Sequence, residues 1–262
     1  MRNKRSLFQK ARSFIVYYGT GHTGQLGQYD LAIVEPSAHT AKDIHALKAA
    51  NTLVLGYVTT MELGPFHDMF SRLKEDDFLK VSGEKLYKET FNTYILDLKS
   101  KRWRGLLQYQ VGKLLLQEGY DGIFMDTIGN VECPDISSVE RQIQSDWAAE
   151  ITRSFRELFP EHVIVQNNGF ENLCMKTAPY LDGICWENPL FSYKESHEWC
   201  ESVLARLVSL KEKYGIRALF LHEENEIKRK PSAGITAQSI ADKHEFLYYE
   251  APNYFMSLPS PM

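Results

Sequence analysis

Apolar residues in this chain come in short runs separated by polar stretches with helical spacing. The runs lie at Ser13 to Tyr18, Leu31 to Glu35, Leu53 to Val58, Ile123 to Asp126, His162 to Gln166, Gly183 to Glu187, Arg217 to Leu221 and Phe246 to Glu250. Each is brief, largely apolar and bounded by Gly, Pro or polar residues, as a strand buried on both faces should be. Between them, apolar positions recur every three or four residues. Ile44 and Leu47 mark one short helix. Trp103, Leu106, Leu107, Val111, Leu114 and Leu115 share a second helical face, with Gly119 where a C-terminal cap belongs. Ile143, Trp147, Ile151, Phe155 and Leu158 mark a third, and Trp199, Val203, Leu207, Leu210 and Tyr214 a fourth, closed by Gly215. A weaker helix is expected from Ala237 to about His244.

Eight strands with helical covers predict an α/β fold, a single (β/α)8 TIM barrel. A doubly wound open sheet fits less well, because no Gly-x-Gly-x-x-Gly follows an early strand. The alternation is broken once, between Thr59 and about Ser100, where the pattern is irregular and charged with one short strand expected at Tyr94 to Asp97. This stretch reads as a long loop excursion on the top face after the third strand, a usual place for functional insertions.

Length agrees with one barrel: the chain has 262 residues, against about 250 for the type. The barrel is expected over 13–256, between a basic extension at 1–12 and a short tail at 257–262. Arg2, Lys4, Arg5, Lys10 and Arg12 carry charge in that extension with no acid among them, which reads as a solvated tail. The net charge of −4 and a pI near 6.1 give no general attraction to nucleic acid. Leu7-Phe8 is too brief for the apolar core of an export signal, and no run approaches the ~20 residues of a membrane helix. As written, the chain reads as cytoplasmic with no membrane insertion, and as extracellular if it is a trimmed form. Cys133, Cys174, Cys185 and Cys200 show no metal-site spacing and read as reduced packing thiols.

One sentence of sequence is written twice. Gly119-Tyr120-Asp121-Gly122-Ile123-Phe124-Met125-Asp126-Thr127 is echoed by Leu181-Asp182-Gly183-Ile184-Cys185-Trp186-Glu187. In each copy an acid stands five positions after the turn aspartate, and the two acids are sixty-one positions apart, roughly two strand-plus-helix units of about thirty residues. In a parallel barrel Asp126 and Glu187 would then stand on alternate strands at one face. Asp121 and Asp182, at the opposite face, read as turn residues only.

The other strand ends supply Tyr18, Glu35, Tyr57 with Glu62, Asn167 and Asn168, Trp186, and His222. The set contains no lysine, which disfavours Schiff-base and pyridoxal chemistry. No His-x-His pair suggests a metal centre, and no glycine-rich loop suggests a phosphorylated substrate. Carboxylates, amides and aromatic rings suit a polysaccharide, with no cofactor and no metal. Glycoside cleavage needs one ionised carboxyl and one proton donor. Asp126 is assigned the first role and Glu187 the second, its proton held by contact with Trp186 or nearby rings. Tyr57 and Trp186 are candidate sugar platforms, and Tyr18, Glu35, Glu62, Asn167, Asn168 and His222 candidate substrate contacts. Two alternatives stay open: a carbohydrate-binding barrel without turnover, and a hydrolase holding a divalent ion between Glu35, Glu62, Asp126 and Glu187.

At these residues the chain resembles the family 114 glycoside hydrolases, the endo-α-1,4-polygalactosaminidase-like barrels. The specific block is Gly119 to Thr127. Val16-Tyr17-Tyr18-Gly19, Tyr29 to Val34, Ile95 to Leu98, Gln166 to Gly169 and Leu181 to Ile184 with Glu187 support it. The resemblance implies a (β/α)8 barrel in which Asp126 and Glu187 match the catalytic pair. It further implies endo-acting, metal-independent and retaining hydrolysis of α-1,4-linked galactosamine polysaccharide of the kind found in microbial biofilm matrices. The chain departs from the pattern at Glu35, at Thr60-Met61-Glu62 and at His222-Glu223.

Overall fold

The computed structural model describes residues 3–229 and 231–259. Eight strands form one sheet: β1 Phe14–Tyr17, β2 Leu31–Val34, β3 Leu53–Thr59, β4 Gly122–Asp126, β5 Val163–Asn167, β6 Gly183–Glu187, β7 Arg217–Glu223 and β8 Leu247–Ala251. They pair in chain order, every neighbour parallel. The Phe14 and Tyr249 rings, 5.7 Å apart, bring the first strand beside the last, so the barrel is nearly closed, as the apolar pattern predicted. β1, β2 and β5 are buried along their whole length, which is why their sequences lack the alternation of a one-sided strand.

The covering helices start where the sequence supplies an N-cap. Thr40 and Asp43 form a reciprocal capping box on Ala41–Ala49, and Ser100 and Ser137 cap Lys101–Gly112 and Ser138–Leu158. The face predicted from Trp103 to Leu115 is buried, and Gly119 takes the left-handed φ of 81° expected of a helix exit. Ser138–Leu158 differs from its predicted stripe. It buries Gln144, Ser145, Ala148, Ile151, Thr152 and Phe155, while Leu158 is largely exposed. The offset of about one residue follows from Gln144, whose amide accepts from Leu98 N and donates to Asp97, so a polar residue occupies the inner face at no hydrogen-bonding loss.

The residues read as a solvated basic tail are structured. Lys4–Lys10 is a helix whose Phe8 is fully buried, and Arg5 donates to Asp182 at 2.6 Å. Met1, Arg2 and residues 260–262 lie outside the described residues. The excursion after β3 is ordered too. Glu62–Leu63, Thr93–Ile95 and Tyr87–Lys88 make a small antiparallel sheet, and Lys80–Val81 pairs with Glu84–Lys85. Among the described residues no helix is long and apolar enough to cross a membrane.

The twice-written Asp-Gly does more than turn the chain, which corrects the reading of Asp121 and Asp182. Asp121 N donates to Val54 O at 2.8 Å, and its Oδ2 accepts from Val54 N at 3.2 Å. Asp182 repeats this with Ile164, at 2.9 Å in each direction. Each aspartate thereby locks its strand to the preceding one, β3 for the first copy and β5 for the second. Both are buried with cations, Lys48 for Asp121 and Arg5 with Arg156 for Asp182. The following glycine is obligatory. A Cβ at Gly122 would sit 2.2 Å from Val163 O, and one at Gly183 2.7 Å from the Phe8 ring.

Candidate active site

A register fixed at the bottom of β4 and β6 fixes the height of what stands at the top. Side chains alternate across a strand, so Asp126 and Glu187 fall in the inward phase on alternate strands with β5 between them. Asn167, the last residue of β5, joins the two carboxylates. Its Nδ2 donates to Asp126 Oδ1 at 2.7 Å and to Glu187 Oε2 at 3.2 Å. Two oxygens held by one nitrogen stand no further apart than the sum of those two distances, about 5.9 Å. The other oxygen of Asp126 accepts from the Tyr57 hydroxyl at 2.8 Å.

Burial raises Glu187 to about 7, helped by the Asp126 charge and less by Glu223, and opposed by the Asn167 donor. Burial, not contact with the Trp186 ring, is therefore the main cause. Tyr18 and Tyr57 are held well above the ordinary phenol range by burial and then by Asp126, with Glu187 adding to the first and Glu35 to the second. Cys185 lies in the inward phase one step beneath Glu187; burial and the two acids push its thiol up, so it fills the floor as a neutral packing group.

The residues after β4, β5 and β6 share a device. Thr127, Asn168 and Asn188 all adopt left-handed backbone, with φ of 59°, 56° and 52°. Each turns its side chain onto a neighbouring strand end. Thr127 Oγ1 accepts from Thr60, Met61 and Glu62 N at 2.9 to 3.1 Å, Asn168 Oδ1 from Glu187 N at 3.1 Å, and Asn188 Oδ1 from Glu223 N at 2.9 Å. A β-branched residue in this conformation is strained, and three backbone donors to one hydroxyl hold it there.

Asp126 and Glu187 line a cavity of about 690 Å³ together with Tyr18, Tyr57, Glu62, Asn167 and Asn168. Glu62 stands on the excursion side, its carboxylate receiving Thr93 Oγ1 at 2.9 Å and Asn130 Nδ2 at 2.6 Å. Among the described residues no lysine or arginine lines the cavity. Three candidates are not brought into it. Trp186 is buried on the outer face of β6 among Phe170, Phe191, Trp199 and Phe220, with ring centroids 5.1 to 5.6 Å away. His222 is likewise outward on β7, its Nε2–H donating to Pro189 O at 3.1 Å, and burial lowers it to about 4. Both stand one residue out of phase with an inward neighbour, Glu187 and Leu221. Glu35 is spent capping Pro36–Ala38, where its Oε1 accepts from Ser37 N and Oγ.

The cavity also takes in residues with no clear signal in the sequence. His67, Phe91, Thr93 and Asn130 reach it through the excursion and the β4 loop, Tyr254 and Phe255 through the turn after β8. Their contribution depends on loop paths that periodicity does not report. Among the described residues no group of three or more His, Cys, Asp or Glu is arranged to hold a metal ion.

A parallel eight-stranded barrel with two amide-linked carboxylates at the C-terminal strand ends is the architecture of a barrel glycosidase. The model of glycoside-hydrolase family GH114 matches residues 3–206, and the chain belongs to that family. The glycoside hydrolase domain of PelA from Pseudomonas aeruginosa is similar in structure, with a TM-score of 0.78 at 16% identity over 95% of this chain and 97% of that one. Ega3 from Aspergillus fumigatus, solved with galactosamine, gives 0.66 at 10% identity over 92% and 89%. An alpha-galactosidase from Thermus thermophilus, solved with stachyose, gives 0.62 at 12% identity over 94% of this chain and 62% of that one. At such identities the likeness speaks for the fold alone. No curated protein matches the sequence.

Proposed function

We propose that the protein is an endo-acting, retaining glycosidase for α-1,4-linked galactosamine polysaccharide, with Asp126 as nucleophile and Glu187 as proton donor. The observation that carries this reading is the Asn167 amide shared between the two carboxylates. Two oxygens that share one donor at 2.7 and 3.2 Å lie at most about 5.9 Å apart, which favours the ~5–5.5 Å of retaining pairs over the ~6.5–9.5 Å that inverting pairs need for their water.

In the first step an Asp126 oxygen bonds to the anomeric carbon as the glycosidic C–O bond breaks. The proton of Glu187 goes to the departing oxygen. A carboxyl held at about 7 still carries that proton in about half of the molecules at neutral pH. Once Asp126 is esterified its negative charge is gone, so one of the forces holding the proton on Glu187 disappears, and Glu187 is the better poised to take a proton from water. That water attacks the anomeric carbon, the ester breaks, and Asp126 is restored with the original anomeric configuration. No step calls for a metal ion, and the hydrogen bonds from Ser37 to Glu35 speak against the four-carboxylate metal arrangement.

A cavity with Glu62, Asp126 and Glu187 and no lysine or arginine among its described lining residues suits a sugar carrying a protonated amine, and the galactosamine in Ega3 is of that chemistry. The test is incubation with partly deacetylated α-1,4-linked galactosaminogalactan, following released oligosaccharides by mass spectrometry and the first-formed anomer by NMR. Asp126→Asn and Glu187→Gln should each release less than about a thousandth of the parental product. Parental release by both variants removes the assignment, and an inverted first product removes the retaining step. Undiminished activity after thorough chelation is expected. Tight binding without any cleavage selects the non-hydrolytic reading.

A further inference from the structure

We propose that Asn253–Phe255, the turn after β8, is a sugar-binding strap, with Tyr254 as the platform for the apolar face of a hexosamine unit beside the scissile bond. The proposal rests on the glycosidase reading and deepens it.

Position is the first argument. β8 adjoins β1 and stands across the ring from β4, and the strap lines one cavity with Asp126, Asn167 and Glu187. A pyranose ring has an apolar face and a polar rim, and this cavity offers partners for both: rings from Tyr254, Phe255 and Tyr18, with Phe91 of the excursion, and polar groups from Glu62, Thr93 and Asn130.

The second argument is what holds the strap. Asn253, Tyr254 and Phe255 have φ of 46°, 50° and 66°, three successive non-glycine residues in a conformation that disfavours side chains. Such strain persists where surroundings over-determine it and gathers at ligand clamps. Phe255 O accepts from Tyr18 N at 2.8 Å, its ring lies 5.2 Å from Tyr18, and Tyr254 N donates to Glu223 Oε1 at 3.3 Å. Tyr18 packs on Tyr57 at 5.1 Å, whose hydroxyl bonds Asp126. The strap is thus tied to the nucleophile by a chain of rings. Phe255 is explained by that packing. Tyr254 is not, since it is 60% exposed while it lines the cavity. A strained residue that holds an aromatic ring open to a cleft is accounted for by a ligand. The strap lies beyond the residues matched by the family model.

The experiment measures binding of α-1,4-linked galactosamine oligosaccharides by calorimetry in the Glu187→Gln background, and turnover in the parent background. Tyr254→Ala is expected to weaken binding about tenfold and raise KM equally, with kcat within about twofold, as for loss of one aromatic contact. Tyr254→Phe should restore both. Tyr254→Gly should bind as weakly as Tyr254→Ala but melt higher, because glycine relaxes the left-handed backbone. The proposal is overturned if Tyr254→Ala binds and turns over like the parent, or loses kcat at unchanged KM. Binding that depends on Tyr254 without any turnover sustains the strap and rejects hydrolysis, whereas absence of both binding and turnover rejects the two together.

Discussion

Replacing Glu187 with Gln should make the protein more stable, and only where the parent is ionised. Burial and the Asp126 charge raise this carboxyl from the ordinary 4.5 to about 7, so the folded state binds its proton more tightly than the unfolded chain does. The sign follows from linkage: stability falls as pH rises wherever the folded state holds the extra proton. Below about 4.5 the group is protonated in both states and costs nothing. Between about 4.5 and 7 the penalty grows, and above 7 it is complete and level. At ~1.4 kcal/mol for each tenfold change in proton affinity, the full penalty is on the order of 2–3.5 kcal/mol, the lower figure allowing for water in the cavity. The amide introduced by Glu187→Gln has no proton to lose and keeps nearly the same shape.

The assay is thermal unfolding of parent and Glu187→Gln from pH 4 to 8, read as the difference in Tm, which cancels the titration of groups that do not interact with Glu187. At pH 4 the two should melt together. At pH 8 the variant should melt about 5–10 °C higher for a chain of this size. Asp126→Asn serves as a second probe. It loses its own hydrogen bonds, so its absolute Tm is uninformative, but its pH slope should be shallower than the parent's because one cause of the raised Glu187 is gone. A Tm difference between parent and Glu187→Gln that stays flat from pH 4 to 8, or that favours the parent at high pH, refutes the idea that these acids share a buried, mutually repelling site.

Three further outcomes follow from the same geometry. Asn167→Ala should lower kcat about a hundredfold while the fold survives, because both carboxylates lose their shared donor; steady-state kinetics on the galactosamine polymer decides it, and parental kcat contradicts it. Thr127→Val takes the hydroxyl acceptor from Met61 and Glu62 N while Thr60 N keeps Asp126 O, and should cost about 1–3 kcal/mol in urea unfolding, whereas Thr127→Ser should lie within about 1 kcal/mol of the parent; equal losses in the two would show that the hydroxyl is immaterial. Asp182→Asn strips the charge between Arg5 and Arg156 and should destabilise by about 3 kcal/mol, measured by denaturant midpoint, with a neutral result showing that the ion cluster contributes nothing.

Much of this molecule could be read from its sequence because a barrel strand is buried on both faces and announces itself as an unbroken apolar run. Each expected run overlaps an observed strand, with ends shifted by a residue or two. The strand-end residues were harder, and part of that difficulty was avoidable. Placing Asp126 and Glu187 in the lumen fixes the phase of their strands, and in the same phase Trp186 must point outward. His222 is excluded likewise once Leu221 is inward. Glu35 could not be excluded in this way, since it follows its strand and its fate is decided by a local hydrogen bond to Ser37. The Lys4–Lys10 helix was hidden because five basic charges dominate the composition, while the residue that docks it is the single buried Phe8. Tyr254 and Phe255 were hidden for a different reason: nothing in apolar spacing says that a turn will double back over the mouth.

The repeat ties these threads together. A carboxylate pair must hold its separation to within about half an ångström to work, yet each acid stands at the end of a strand five residues long. Positional error introduced at the bottom would be carried to the top. The chain meets this by using one local solution twice. An aspartate exchanges two hydrogen bonds with the strand before it, and a glycine makes way for a close neighbour, the Val163 carbonyl at Gly122 and the Phe8 ring at Gly183. Both copies set register against the preceding strand, so Asp126 and Glu187 arrive at equal height with β5 between them, and the Asn167 amide spans the remaining gap. Gly122→Ala should therefore disturb the site from the far end of the barrel. Val163 O would lie 2.2 Å from the new methyl, and relieving that contact means moving β4 against β5, the two strands that carry Asp126 and Asn167. If Gly122→Ala folds at all, it should lose kcat more than substrate affinity, because displacement of Asp126 from Asn167 alters the reacting geometry while leaving the cavity walls in place. A folded Gly122→Ala variant with parental kcat would show that the bottom of the barrel does not govern the carboxylates.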